Sequence, residues 1–164
     1  MTKLLRRLLL AVPLAITALA FSPLAALGSE GAHFFSDTSA SVASSGALTV
    51  HIDEAGLGTS EITYTLTADA TATYACINGG ENHPKAANKE EKVGQVNAGS
   101  SFQPKHGRVQ ADMSAGPLSA GSFKCPSGQR LVLAAVSYSH IVLTDTSNKI
   151  TDSLGSVSRT FIEL

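Results

Sequence analysis

The chain has 164 residues, with 12 Lys and Arg against 13 Asp and Glu, two cysteines and no tryptophan. That length fits one domain and is short for two. The near-balanced charge excludes the strongly basic surface that general nucleic-acid binding needs.

Residues 1–28 read as a secretory signal peptide. Lys3, Arg6 and Arg7 precede an apolar run from Leu8 to Phe21, and Ala26-Leu27-Gly28 forms an acceptable cleavage box before Ser29. A retained anchor, giving a membrane-tethered surface domain, is the alternative; Pro13, Pro23 and the cleavage box argue against it. Residues 29–164 then form a single domain with nine basic and thirteen acidic residues, net −4. The charge is segregated: residues 29–80 carry six acids and no Lys or Arg, and residues 81–130 carry seven bases and four acids. A dipolar surface is one reading, and an ordinary solvated loop with lysines is the plainer one.

Period-two patterning dominates the chain from residue 33 onward. A first strand is predicted over His33–Val42, and a second over Ala47–Asp53 with Leu48, Val50 and Ile52 inward. The clearest strand is Ser60–Ile77. Ile62, Tyr64, Leu66, Ala68, Ala70, Ala72, Tyr74 and Cys76 fall on one face, and Thr63, Thr65, Thr67, Asp69, Thr71 and Thr73 on the other. Such a run would extend more than about 50 Å, too long for one flat strand, so a bend or bulge is expected near Ala68–Ala70. Shorter strands are predicted at Lys92–Asn97, Val109–Ser114 and Val157–Leu164. A second long strand runs from Arg130 to Thr146, with a phase slip at Ser137–Ser139 that again suggests a bulge. Turns are marked by Ser45-Gly46, Asn78-Gly79-Gly80, His106-Gly107, Gly116-Pro117 and Pro126-Ser127-Gly128.

Seven or eight strands at this spacing predict an all-β fold. The expected architecture is a two-layer antiparallel β-sandwich with an immunoglobulin-like Greek key and one disulfide. In an exported chain the two cysteines, Cys76 and Cys125, pair with each other. Cys125 beside Pro126 lies in a turn, so the bridge is expected to clamp a loop to a strand end and not to cross the core.

Familiar catalytic signatures are absent: there is no G-x-S-x-G, S-x-x-K, H-E-x-x-H, G-x-G-x-x-G or P-loop. Asp53–Glu54 and Glu90–Glu91 are adjacent pairs, which face apart on a strand or sit in solvent. The histidines His33, His51, His83, His106 and His140 lack metal-ligand spacing and read as surface residues, with His51 opposite the core face. A sharper alternative concerns His33: cleavage after Ala32 would leave an N-terminal histidine able to bind copper, with His51 as a second ligand. Glu30 at the −3 position disfavours that cleavage. Phe34, Phe35 and Tyr138 could serve a sugar-binding face as exposed aromatics, and packing in the core is the plainer expectation. The polar stretch from Asn78 to Lys92 carries the best candidate contact residues, Asn78, Asn82, His83 and Lys85; the rival reading makes it a plain connection tethered by Cys76.

The segment "GLGTSEITYTLTADATATYACINGGENHPKAANKEEK", Gly56 to Lys92, resembles a set of small secreted proteins of actinobacteria and filamentous fungi. They share a Gly-Leu-Gly turn, a Thr/Ala-rich strand ending in Cys, and an Asn-Gly-Gly-type loop, here with Glu81 inserted between Gly80 and Asn82. The likeness extends more loosely from His33 to the last strands. It implies secretion, a disulfide and an all-β fold, and brings no catalytic residue. The resulting expectation is a secreted, non-enzymatic binding module with no cofactor, an extracellular partner of unknown kind and no membrane contact after cleavage. A histidine-based enzyme or copper protein is the rival, and oligomeric state is not readable.

Overall fold

The structure, a computed structural model, describes residues 31–78 and 88–164. Nine strands lie among them: β1 His33–Phe34, β2 Ser39–Val42, β3 Leu48–Ala55, β4 Ile62–Asn78, β5 Lys89–Phe102, β6 Arg108–Ala115, β7 Gln129–Asp145, β8 Ile150–Ser153 and β9 Val157–Thr160. They build two antiparallel sheets packed face to face, a β-sandwich. In the first sheet β3 is central, with β6 on one edge and β1 and β2 end to end on the other. In the second the order is β5-β4-β7, and β8 and β9 share the far edge of β7.

The alternating pattern explains both layers. Leu48, Val50 and Ile52 of β3 and Val109 and Met113 of β6 face Ile62, Tyr64, Leu66, Ala68, Ala70 and Ala72 of β4 and Val136, Tyr138, Ile141 and Leu143 of β7, all buried in one core. Side chains of alternate residues project to opposite faces of a strand, so the threonines of β4 turn outward. The alternation stops at Thr73. Beyond it Ala75, Cys76 and Ile77 are all buried.

One bulge falls beside the predicted Ala68–Ala70 bend and a second, unpredicted one at Thr73–Tyr74, and in both the extra residue belongs to β7. Thr67 pairs with Val142 and Asp69 with Ser139, so two steps on β4 oppose three on β7. The additional residue is accommodated at His140, whose φ of 48° is the left-handed backbone that a bulge imposes. A second shift between Thr73 and Tyr74 skips Ala134. β4 therefore stays continuous while its partner bends.

Several boundaries differ from the sequence reading. His33–Val42 is two short strands broken by a turn in which Thr38 N donates to Phe35 O (3.0 Å). The β5 strand reaches from Lys89 to Phe102, so Lys89–Lys92 is strand and not loop. The last predicted strand is shorter, Val157–Thr160, and the polar β8 precedes it. Asp53 and Glu54 do face apart, but both are buried.

Strands β4, β5 and β7 are about twice as long as β3 and β6, so the second sheet overhangs the first. The connection of residues 116–128 covers the overhang. Tyr74 donates its hydroxyl to Leu118 O (2.7 Å), and Leu118 lies against Gly94. Tyr138, fully buried, donates to Gly46 O at 2.7 Å and ties the second sheet to the β2–β3 turn. Gly46 has a φ of 90°, which favours glycine, and a Cβ there would lie 2.3 Å from Leu133 Cδ2 and displace that side chain. Tyr138→Phe strands the Gly46 carbonyl and should lower unfolding free energy by about 1–2 kcal/mol with the fold retained, read from denaturant midpoints at unchanged slope.

Candidate functional site

The overhanging end of the second sheet is built around Cys76–Cys125, a disulfide with a Cα–Cα distance of 5.4 Å. It joins the end of β4 to the 116–128 connection, as the cysteine positions predict. Register then fixes what surrounds it. Ala75 opposes Lys89 on one side, and Ile77 and Asn78 oppose Arg130 and Gln129 on the other. Lys124 adjoins Cys125, and Lys92 lies against Gly121. Lys89 and Arg130 thus stand on either side of the end of β4, with Leu131 exposed next to Arg130; Lys92 lies three residues further along β5, opposite Ala72, and Glu90 and Glu91 stand between the two lysines. Lys92 is paired with Glu90.

Asn78 is exposed at the tip of β4. The other predicted contact residues, Asn82, His83 and Lys85, lie outside the described residues. Sequence reasoning missed Lys124 and Arg130, because only the disulfide and the β4–β7 register bring them to Asn78.

His33 and His51 are not brought together. His33 opposes Ala55, four residues from His51 along β3, a separation of about 13 Å. His33 Nδ1 is 2.9 Å from Gly31 O, and His51 Nδ1 is 2.8 Å from Asp112 Oδ1. Among the described residues no group of three or more His, Cys, Asp or Glu is arranged to hold a metal ion.

The outer face of the second sheet is paved with hydroxyls. Thr63, Thr65, Thr67, Thr71 and Thr73 of β4 are flanked in register by Ser101 of β5 and by Ser137, Ser139 and Thr144 of β7. Asp69 interrupts them, accepting from Gln95 Nε2 (3.1 Å) and lying 2.9 Å from His140 Nδ1. Those two contacts, Gln95 first, hold the Asp69 carboxyl below the usual aspartate range. Cross-strand hydroxyl pairs such as Thr63–Ser101 (2.9 Å) stabilise a solvated sheet face, so strand pairing accounts for this pattern.

On the outer face of the first sheet, Arg108 grips Asp53 through two nitrogens, with Nε–Oδ1 at 2.6 Å. Gln110 Nε2 donates to Asp53 Oδ2 (3.1 Å), the Phe35 ring stacks 4.7 Å from the guanidinium carbon, and Thr38 Oγ1 donates to Asp53 O (2.9 Å). The arrangement anchors the β1–β2 turn.

A third polar cluster is internal. Glu54 of β3, Tyr64 of β4 and Asp145 of β7 are all fully buried. The sequence carried this signal: Glu54 is in phase with Leu48, Val50 and Ile52, and Asp145 with Ile141 and Leu143. No protein family matches the chain, and no curated protein or solved structure does either.

Proposed function

We propose that the protein is an exported, non-enzymatic binding module that meets an anionic partner outside the cell through the disulfide-clamped end of its sandwich. The observation that carries the reading is the placement of Lys89 and Arg130 on either side of the β4 end that carries Asn78, with Lys124 next to Cys125, which the bridge holds to Cys76 of the same strand end. Localised positive charge on a chain whose residues 29–164 are net negative favours an anionic partner at that end. The leader-like residues 1–28 and the disulfide support export. Both cysteines are committed to the bridge, which leaves no free thiol among the described residues.

The test is binding of residues 29–164 to an insoluble polyanion bearing phosphate or carboxylate groups, compared with a neutral polysaccharide. Retention on the polyanion should weaken with added salt and fall by about tenfold in the Lys124→Glu/Arg130→Glu variant. Equal retention on the neutral polymer, or a double variant that binds like the parent, overturns the reading.

A further inference from the structure

Two carboxyls and a phenol meet where one end of the sandwich closes. Tyr64 and Asp145 are register partners in the second sheet, and Glu54 reaches them from the first. The three side chains are fully buried. Asp145 is well provided with donors: Oδ1 accepts from Ser147 N (2.7 Å) and Asn148 N (2.9 Å), and Oδ2 from Asn148 Nδ2 (2.6 Å). Glu54 is not. Tyr64 and Asp145 act on it at close range, but neither Oε1 nor Oε2 makes a well-formed hydrogen bond, and the Tyr64 hydroxyl lacks one too.

An ionised carboxylate in that position would be unsolvated and would face a second carboxyl, which a low-dielectric interior does not tolerate. Either a cation or a proton must relieve it. A hard cation takes six or more oxygen ligands at this kind of site. Only the two Glu54 oxygens and the Tyr64 hydroxyl are without partners here. A proton on Glu54 needs no further ligand and lets it donate a hydrogen bond.

The surroundings decide what ionisation would do. On the first sheet Glu54 is flanked by Phe34 of β1 and Val109 of β6. The nearby titratable groups are Tyr64 of β4, Asp145 of β7 and, more remotely, His33 of β1. Arg108 is engaged with Asp53, which points to the opposite face of β3. The strand that covers Glu54 at the edge, β1, has two residues, and β8 pairs with only the last four residues of β7, Val142–Asp145. Residues 32–36 and 150–152 face each other across a surface depression at this end. Short, edge-placed segments of this kind open at low free-energy cost.

We propose that Glu54 is a proton-holding latch: this end of the sandwich closes with Glu54 neutral, and its ionisation loosens β1 and the β7–β8 turn from the core. Burial, reinforced by Asp145 and opposed by Tyr64, pushes the Glu54 carboxyl from 4.5 up to about 7. The folded chain therefore holds this proton more tightly than the unfolded chain. The stabilisation is complete below the unfolded value and is lost as pH rises through about 7. The latch is shut in mildly acidic surroundings and released in alkaline ones.

The experiment is carboxyl-carbon NMR of residues 29–164 across the neutral range, with melting temperatures on the same samples. Glu54 should titrate near neutrality, and melting should drop by several degrees from about pH 5 to about pH 8. Glu54→Gln, which keeps the shape and a donor, should fold and lose that slope. Asp145→Asn removes the facing charge, so its Glu54 midpoint should move down; this second variant serves if the first does not fold. A Glu54 signal already ionised near pH 5 overturns the latch, as does a Glu54→Gln variant that keeps the wild-type slope. Restoration of alkaline stability by calcium alone would also overturn it, since the site would then take a cation.

Discussion

Removing the Cys76–Cys125 bridge is expected to lower unfolding free energy by about 4 kcal/mol, and the melting temperature by on the order of 10 °C. The cysteines are 49 residues apart, so the bridge closes a long loop in the unfolded chain and restricts that ensemble strongly. The native contribution is more local. The bridge holds the 116–128 connection over the part of the second sheet that β3 and β6 do not reach, above Tyr74, Lys92 and Gly94. Without it that cover rests on the Tyr74–Leu118 hydrogen bond and the packing of Leu118. Cys76→Ala/Cys125→Ala should therefore lose protection first at residues 116–128 and at the adjoining ends of β4 and β7, and later in the Leu48–Tyr138 core. Amide exchange distinguishes this from a uniform loss, and melting of the reduced wild-type chain separates the cross-link from the alanine substitutions. If the bridge acted only through the unfolded state, exchange would accelerate evenly and residues 116–128 would not lead.

The layers of this fold were legible because burial and alternation coincide along Leu48–Ile52 and Ile62–Ala72. Strands β4 and β7 kept their positions for the same reason, whereas β5, expected only over Lys92–Asn97, spans Lys89–Phe102; the cysteine pairing followed from there being two cysteines. What escaped was set by neighbours distant in sequence. The edge strands β1, β2 and β8 are two to four polar or mixed residues whose ladder partners, not their own composition, make them strands. Small side chains and a phase slip pointed to the bulge near Ala68, but the one at Thr73–Tyr74 left no such mark, and only pairing shows that β7 carries the extra residue in both. Asp53 and Glu54 face apart as adjacent strand residues should, but the burial of both was not foreseen, although Glu54 sits in phase with three core residues of β3, because charged side chains are expected in solvent. At the clamped end, Asn78 was within reach of sequence reasoning, whereas Lys124 and Arg130 join it only through a cross-link and a register.

Arg108→Ala is the second substitution expected to act strongly, and its damage falls on Asp53. That side chain is 1% exposed and faces a guanidinium that is itself nearly half exposed. Removing the arginine leaves a buried carboxylate with Gln110 as its remaining side-chain donor, and stranding Asp53 in this way costs about 3 kcal/mol. Asp53→Asn is milder, because the freed Arg108 already touches water and the new amide would keep a hydrogen bond to Gln110. Combining the two should recover much of the loss, so the double variant lies above Arg108→Ala in melting temperature; strict additivity would refute the coupling. The acid response carries the opposite sign to that of Glu54. The Arg108 hydrogen bond, helped by Gln110, holds the Asp53 carboxyl below its ordinary 3.8. Its contribution is present above that value and is lost as pH falls through the lower, folded one. The Glu54 contribution is lost as pH rises from the unfolded value through about 7, so the two groups bracket an acidic optimum. Arg108→Ala should flatten the acid limb and leave the alkaline limb untouched, while Glu54→Gln should do the reverse. A single pH–stability profile for each variant measures both, and a substitution that moved the wrong limb would show that the two carboxyls, on opposite faces of β3, are not independent.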